Sequence, residues 1–287
     1  LPMSRAIYPD ALVIGPMRTA TTWIYQYLSL RDDVCLPGGV KETFFFDRRY
    51  ERGMSWYAAH FRHCSRQAKR RVVEVAPSYF HSDVAPKRVR SCLGVVRLIV
   101  VVRDPVERAI SHYHYLRSRG LVGTSLTDAI RQFPEIIDAS HYYRHLRRWE
   151  AIFGEANVSL LWYEDLKMDH MKFVKDLCNS LEIPCYPVEV DLGKTKVNTP
   201  SEPWWPWLAR AGRWMANWLR NYRIYTPIEV AKRLGMEKIF FGSQGRRRKI
   251  EISLADKEFL RQLVAADWEL FQKEFASRDV LPTRRQG

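Results

Sequence analysis

A short segment near the amino terminus, LVIGPMRTATTW, has the residue types of a phosphate-binding loop. Its apolar run ends at Gly15, and small and hydroxylic residues then lead into a pattern that can continue as a helix. A strand, a tight loop and a helix start together direct backbone N–H groups at an anion. Gly15 and Thr22 match the Walker pattern G-x-x-x-x-G-K-S/T. Ala20 replaces its second glycine and Thr21 its lysine, which leaves Arg18 as the cation. The segment therefore predicts a phosphate site for a nucleotide other than ATP or GTP.

A second strand-to-helix junction, at Arg103, predicts another anion site. It follows the run LIVVV, which is typical of a strand buried on both faces in a parallel sheet. In Walker-type enzymes the corresponding strand delivers an aspartate that holds Mg²⁺, whereas a cation here suits direct binding of a phosphate without a metal. Ser111, two helical turns further on, can present its hydroxyl at the same edge. Taken alone, Arg103 and Asp104 could equally form a surface ion pair, with Ser111 an ordinary helix residue.

The two junctions are more informative together than apart. Strand ends on one edge of a parallel sheet share a crevice, so one loop can bind a 5′-phosphate and the other a second, separate phosphate. The pair therefore predicts a nucleotide that is phosphorylated at both its 5′ and its 3′ position.

Alternating strands and helices predict a single α/β domain over residues 1–287, with a central parallel sheet flanked by helices and a P-loop-like binding loop. The core is expected at about 11–182, followed by an aromatic and basic region at 198–249 and a closing helix at 254–276. The expected strands are 11–14, 34–36, 71–75, 98–102 and 158–162. A first helix is expected to begin directly after the first loop, and the other core helices are expected at 54–61, 84–92, 105–116, 126–133, 142–153 and 171–181.

These motifs resemble those of the sulfotransferases that use 3′-phosphoadenosine 5′-phosphosulfate (PAPS), in particular the heparan sulfate N- and 3-O-sulfotransferase branch and its bacterial relatives. RTATT at 18–22 is similar to the family's 5′-phosphosulfate loop, 98–113 to its 3′-phosphate motif, and KETFFFD at 41–47 to a segment that carries its base. Segments at 74–80 and 142–149 also align. The resemblance implies that the donor is bound by Arg18, Thr19, Ala20, Thr21, Thr22, Arg103, Ser111, Gly245, Arg246 and Arg247.

The resemblance also implies two catalytic residues. Arg18 stands where the family has its catalytic lysine and would stabilise charge on the leaving phosphate oxygen. Glu42, in KETFFFD, would remove the proton of the acceptor. A Lys-Glu pair before aromatic residues is also common at a solvated strand end, and His81 or His60 could act as the base instead.

Three residues depart from the family pattern. Arg18 replaces an ammonium with a guanidinium, and Ala20 replaces a glycine, which narrows the conformations open to the loop. Val75 stands where the 3-O-sulfating enzymes have a second lysine, so that acceptor handling is expected to differ. The cysteine pair that braces the C-terminal loop of the animal members is missing.

Composition limits the partners and the compartment. A net charge of +14 predicts attraction to an anionic partner, but the basic residues are scattered and no nucleic-acid-binding motif is present. Five cysteines without a C-x-x-C argue against a disulfide framework and a zinc site and favour a reducing compartment. The histidines show no metal spacing. No apolar run of about 18 residues and no signal peptide is visible, which predicts a cytoplasmic protein, with peripheral contact to a membrane surface also open.

The sequence thus predicts metal-independent transfer of a sulfuryl group from PAPS to an acceptor hydroxyl or, as the weaker alternative, an amine, with 3′,5′-ADP as product. Carbohydrate, lipid-linked and natural-product acceptors are all open, as is the oligomeric state. A P-loop kinase of a small metabolite and a basic nucleic-acid-binding module are the rival functions. The tryptophan- and arginine-rich stretch at 204–222 is hypothesised to border the acceptor cleft, with packing on the sheet domain as the alternative.

Overall fold

A computed structural model describes residues 6–64, 71–186 and 252–275 of the chain. Five parallel strands form its centre in the order β2-β3-β1-β4-β5. They are β1 (Ala11–Val13), β2 (Val34–Cys35), β3 (Arg71–Val75), β4 (Arg97–Val102) and β5 (Val158–Trp162). The predicted parallel α/β sheet is confirmed, and each strand lies within one residue of its expected bounds.

Eleven α-helices surround the sheet in the part of the chain that the structure describes. They are α1 (Thr21–Ser29), α2 (Phe45–Arg48), α3 (Gly53–Ala58), α4 (Ala85–Leu93), α5 (Pro105–Ser118), α6 (Leu126–Gln132), α7 (Glu135–Asp138), α8 (Tyr142–Phe153), α9 (Tyr163–Met168), α10 (His170–Leu181) and α11 (Leu254–Phe275). The short helices α2, α7 and α9 were not predicted, because four to six residues carry too little periodicity. Among these described helices, none has both the length and the apolar character needed to cross a bilayer.

The alternation of side chains along the strands gives the sheet two apolar faces. In β4, Leu98, Val100 and Val102 join the cluster that α2, α3, α4, α8 and α11 cover. Ile99 and Val101 join the opposite cluster, which α1 and α10 cover. All five side chains are fully buried, as the run LIVVV predicts for a central parallel strand.

The closing helix α11 is tied to the sheet domain through α8. The carboxylate of Asp267 accepts the backbone amides of Tyr143 and Arg144 at 2.9 and 3.0 Å. The N-cap residue of α8, His141, makes no such side-chain bond, so a residue more than 120 positions away caps the helix. The predicted helix at 254–276 is therefore present as part of the same packed body.

The strand order creates a crevice at the carboxyl ends of β1 and β4. The chain leaves β1 toward β2 and β3 on one side and later returns to β4 on the other side, which is the switch point at which parallel sheets bind ligands. Gly15 follows β1 at this point. A Cβ atom there would lie 2.2 Å from the backbone nitrogen of Val101, so Gly15 is required by close packing of the strand ends.

Candidate active site

The segment between β1 and α1 forms the first anion site. The buried hydroxyl of Thr19 donates to the carbonyl of Pro16 at 2.7 Å and closes the turn. Arg18 and Ala20 both adopt left-handed backbone, with φ of 79° and 66°. Ala20 is the N-cap of α1 and makes no side-chain bond to the first turn. The amides of that turn, at the positive end of the helix, can therefore bind an anion.

The second junction reaches the same loop. The Arg18 Nε donates to the hydroxyl of Ser111 at 3.1 Å, and its guanidinium lies 5.1 Å from the ring centroid of Tyr115. Arg103 Nη1 donates to the backbone carbonyl of Arg18 at 3.2 Å. The structure thus brings Arg18, Arg103 and Ser111 together at one end of the crevice.

The interpretation of Arg103 and Asp104 as a surface ion pair does not fit this geometry. The Asp104 carboxylate accepts the amide of Glu107 at 2.8 Å and caps α5. The guanidinium of Arg103 lies 4.6 Å from the ring centroid of Tyr163, and its carboxylate contact is with Glu107, at 3.9 Å. Arg103 is therefore held beside the loop, and Asp104 caps α5.

Arg108 is a site residue to which the sequence analysis assigned no role. Its fully buried side chain donates from Nε to the Ser140 hydroxyl at 2.6 Å and from Nη1 to the Met17 carbonyl at 3.3 Å, and it also bonds the Ile136 carbonyl. Arg108 and Arg103 thereby hold two successive carbonyls of the loop. An arginine on the apolar face of α5 was the signal that could have pointed to it.

Positive charge is concentrated around the loop. Burial lowers the pKa of Arg18, and the neighbouring Arg103 acts in the same direction. Burial also lowers the pKa of Arg108 to about 10, with Arg103 and Arg18 contributing. Within the described residues, neither Arg18 nor Arg108 forms an ion pair with a carboxylate. A bound anion would offset the repulsion between these guanidinium groups, so the residues present fit a phosphate-bearing donor.

The Lys-Glu pair lies at the other end of the loop. Lys41 Nζ donates to the hydroxyl of Thr22, the second residue of α1, at 3.3 Å. It also lies 2.9 Å from Glu42 Oε1, and the two side chains are 25% and 16% exposed. Lys41 thereby places Glu42 near the phosphate-binding loop, although Lys41 and Thr22 are 19 positions apart in the chain.

A buried carboxylate holds the backbone next to Glu42. Glu74, in β3, is fully buried and accepts the Thr43 amide at 3.2 Å and the Thr43 hydroxyl at 2.5 Å. The hydroxyls of Tyr57 and Tyr79 also donate to it, at 2.7 and 3.2 Å. Burial raises the pKa of Glu74, whereas these donors oppose the rise. The sequence aligned Glu74 with a family segment but gave it no role.

The two histidines proposed as alternative bases have different surroundings. Burial lowers the pKa of His81 to about 4, with His145 contributing, and its ring packs edge-on against the ring of His145. The ring Nδ1 of the buried His60 lies 3.1 Å from the carbonyl of Trp56 in the preceding turn. Glu42, in contrast, is in contact with Lys41, which reaches the loop through the hydroxyl of Thr22.

The cysteine pattern argues against a disulfide framework, yet one pair of cysteines is bonded. Cys35, at the end of β2, is bonded to Cys64, and His63 Nε2 lies 3.5 Å from the Cys35 sulfur. The partners are 29 residues apart and meet only in the fold, so neither the odd count nor the missing C-x-x-C could reveal them. In the described residues this trio is also close enough to hold a metal ion, but the disulfide occupies both sulfurs. The cysteine count therefore no longer supports a reducing compartment.

Two predicted features lie outside the described residues. One is the basic loop with Gly245, Arg246 and Arg247, and the other is the tryptophan-rich stretch at 204–222. Their expected roles stay predictions. Val75, in contrast, is fully buried in β3, so an apolar side chain stands there in the sheet.

Known proteins with similar sequences were compared with this chain. A family model described as "Sulfotransferase domain" matches residues 8–196. Bifunctional heparan sulfate N-deacetylase/N-sulfotransferase 4 of Mus musculus is 26% identical over 270 residues, which cover 85% of this chain and 29% of that protein. Heparan sulfate glucosamine 3-O-sulfotransferase 6 of Homo sapiens is 41% identical over 110 residues, which cover 38% of this chain and 31% of that protein. The chain spans less than a third of the length of these relatives.

A solved structure supports the fold. The crystal structure of a sulfotransferase from Alicyclobacillus acidocaldarius superposes with a TM-score of 0.55 at 20% identity, over 66% of this chain and 89% of that one. At this identity the likeness concerns the fold. Because the family model matches well over half of the chain, including β1 to β5 and both anion-binding junctions, the chain belongs to the sulfotransferase domain family.

Proposed function

We propose that this chain transfers a sulfuryl group from PAPS to an acceptor hydroxyl. The observation that carries the proposal is the hydrogen bond between Arg18 and Ser111, which joins the two anion-binding junctions into one site. The uncompensated charge of Arg18 and Arg108 supports an anionic ligand with more than one phosphate.

In this proposal the two ends of the site bind different parts of the donor. The loop from Arg18 to Thr22 and the amides that open α1 would hold the 5′-phosphosulfate. Arg103 and Ser111 would hold the 3′-phosphate, and Gly245, Arg246 and Arg247 are proposed to add further contacts. PAPS supplies the sulfuryl group when it is bound. A guanidinium at the end of β4, in place of a carboxylate, supports direct binding of a phosphate without a metal.

Two side chains are proposed to carry the chemistry. Arg18 would stabilise the charge that develops on the leaving phosphate oxygen, where such an interaction lowers the barrier most. Glu42 would accept the proton of the acceptor hydroxyl, and its contact with Lys41, which reaches Thr22, supports this role.

The acceptor proposed for this chain is a carbohydrate hydroxyl. The names of the similar proteins refer to heparan sulfate and its glucosamine, and a net charge of +14 suits a polyanionic glycan. A lipid-linked or natural-product hydroxyl, or an amine, is the alternative. We further propose a single domain over residues 1–287 and, where the acceptor is lipid-linked, peripheral contact with a membrane surface.

The proposal is tested by calorimetry and thermal shift with 3′,5′-ADP, ATP, ADP and 5′-AMP, with and without Mg²⁺. We expect 3′,5′-ADP to bind at least tenfold more tightly than 5′-AMP, a difference of about 1.4 kcal/mol. Equal affinities would contradict the two-phosphate site. A preference for ATP with Mg²⁺ would support a kinase, and steeply salt-dependent binding to DNA or RNA would support a nucleic-acid-binding module.

A further inference from the structure

Two cationic side chains stand at opposite ends of the phosphate-binding loop, and they differ in how firmly each is held. Arg18 is anchored by its bond to Ser111, by the ring of Tyr115 and by the left-handed backbone at its own position. Lys41 reaches the loop from the segment after β2 and ends at Thr22, in the first turn of α1. The anchored cation therefore faces the Ser111 end, while Lys41 stands at the Glu42 end.

Lys41 has a donor left for a ligand. An ammonium carries three N–H donors. Within the described residues Lys41 directs one at the Thr22 hydroxyl, 3.3 Å away, and one at the Glu42 carboxylate, 2.9 Å away. Its side chain is 25% exposed, so the third donor is accessible to an anion that enters the crevice.

The backbone that presents Lys41 is fixed on both sides. Before it, the Cys35–Cys64 disulfide and the bond from the Gly38 amide to the His60 carbonyl, at 2.8 Å, hold the segment to the residues that follow α3. After it, Thr43 is held by the buried Glu74. Such anchoring is expected for a group that must meet a ligand in one geometry, and not for an ordinary surface lysine.

We propose that Lys41 is a further catalytic residue, whose ammonium binds the sulfonate of the donor while it keeps Glu42 in place as the base. This rests on the proposed function. During transfer the acceptor oxygen bonds to sulfur as the bond from sulfur to the 5′-phosphate oxygen breaks. The electron pair of that bond stays on the phosphate, and the acceptor proton passes to Glu42. Lys41 then contacts both the group that moves and the group that takes the proton.

The same contacts would be of little consequence if Lys41 only formed a surface ion pair. A partly exposed Lys-Glu pair contributes little to stability, and without a contact to the donor it would not change the ratio of the affinities for PAPS and 3′,5′-ADP. The two roles therefore predict different results when the charge of Lys41 is removed.

The test compares PAPS with 3′,5′-ADP, which differ only by the sulfuryl group. Binding of each is measured by calorimetry without acceptor, for the unchanged chain, Lys41→Met, Lys41→Arg and Lys175→Met. Lys175 is an exposed lysine in α10 and serves as the matched control. Lys41→Met should lower the affinity for PAPS about tenfold relative to 3′,5′-ADP, whose affinity should change by less than about twofold. Lys41→Arg should restore most of the ratio, and Lys175→Met should not change it.

The rate of sulfuryl transfer to an acceptor hydroxyl supplies the second readout. Loss of a donor aimed at the reacting group is expected to slow transfer about 10²–10³-fold in Lys41→Met. Unchanged thermal unfolding and an unchanged affinity for 3′,5′-ADP show that the variant is folded. A wild-type PAPS ratio together with normal turnover in Lys41→Met would overturn the proposal. Failure of the unchanged chain to bind either nucleotide would instead overturn the proposed function.

Discussion

Arg18 and Ser111 are 93 residues apart in the chain, yet the guanidinium Nε of one donates to the hydroxyl of the other at 3.1 Å. The contact joins the loop after β1 to α5, which follows β4. Because β1 and β4 are hydrogen-bonded neighbours, their carboxyl ends bring the two side chains together. One hydrogen bond thus links both junctions at which the sequence predicts a phosphate.

Replacement of Arg18 separates a catalytic role from a binding role. Arg18→Ala should slow sulfuryl transfer by about 10²–10³-fold, because charge on the leaving oxygen develops mainly in the transition state. Binding of 3′,5′-ADP, measured by calorimetry, should weaken much less. Arg18→Lys keeps a cation and should retain substantial activity. Normal turnover in Arg18→Ala would restrict this residue to binding.

The second phosphate site is tested by Arg103→Ala and Ser111→Ala. Both variants should lose the preference for 3′,5′-ADP over 5′-AMP, expected to be at least tenfold or about 1.4 kcal/mol, because the contacts of the 3′-phosphate are removed. Their affinity for 5′-AMP should stay nearly unchanged. Arg131→Ala, which changes an exposed arginine of α6, is the control for the loss of one positive charge. Retained discrimination in both site variants would place the 3′-phosphate elsewhere.

Replacing Glu42 and His81 in turn tests which of the two side chains is the general base. Glu42→Gln should lower turnover by about 10²–10⁴-fold without changing the affinity for 3′,5′-ADP, and the acid limb of the pH–rate profile should disappear. The ring of His81 packs against that of His145, so His81→Asn should leave turnover within a small factor. A reversed pattern, with His81→Asn inactive and Glu42→Gln active, would assign the base to His81.

Glu74 is expected to make stability depend on pH. Burial raises its pKa, so the folded state binds this proton more tightly than the unfolded chain. Its contribution is therefore largest at acid pH and declines as the pH rises through the folded-state pKa. Glu74→Gln cannot titrate and should cost roughly 1–3 kcal/mol at acid pH through its altered hydrogen bonds. Denaturant unfolding of both proteins across the pH range should show this difference shrinking as pH rises; a growing difference would mean that the four donors outweigh burial.

The left-handed backbone at Ala20 predicts that replacing this residue by glycine stabilises the protein. A non-glycine residue there costs roughly 1–2 kcal/mol, part of which is offset because glycine gains entropy in the unfolded chain. Ala20→Gly should therefore raise the free energy of unfolding by up to about 1 kcal/mol, or Tm by about 2–4 °C. Ala151→Gly, at an exposed position in α8, should instead lower it by up to about 1 kcal/mol. A fall in Tm for Ala20→Gly would contradict the strain assigned to this residue.

Local patterns of the sequence were sufficient for most elements. The β-branched run at β4, the turn residues after β1 and the proline that opens α5 identified strands and helices close to their observed bounds. Cations and hydroxyls placed directly after two such strands also indicated the phosphate sites. These signals are short-range, because burial and backbone preference act on neighbouring residues. They failed for α2, α7 and α9, which are too short for a periodic pattern.

Tertiary structure alone decided which distant residues meet. The Cys35–Cys64 bond, the burial of Arg108 beneath the loop and the hold of Glu74 on Thr43 all depend on the order in which the strands pair. So does the reach of Lys41 to Thr22, which brings the proposed base to the loop. Strand order follows from the packing of both sheet faces as a whole, and no single segment encodes it. The sequence by itself therefore determined the chemistry available to this protein, and the packed sheet determined which of those groups act on the same ligand.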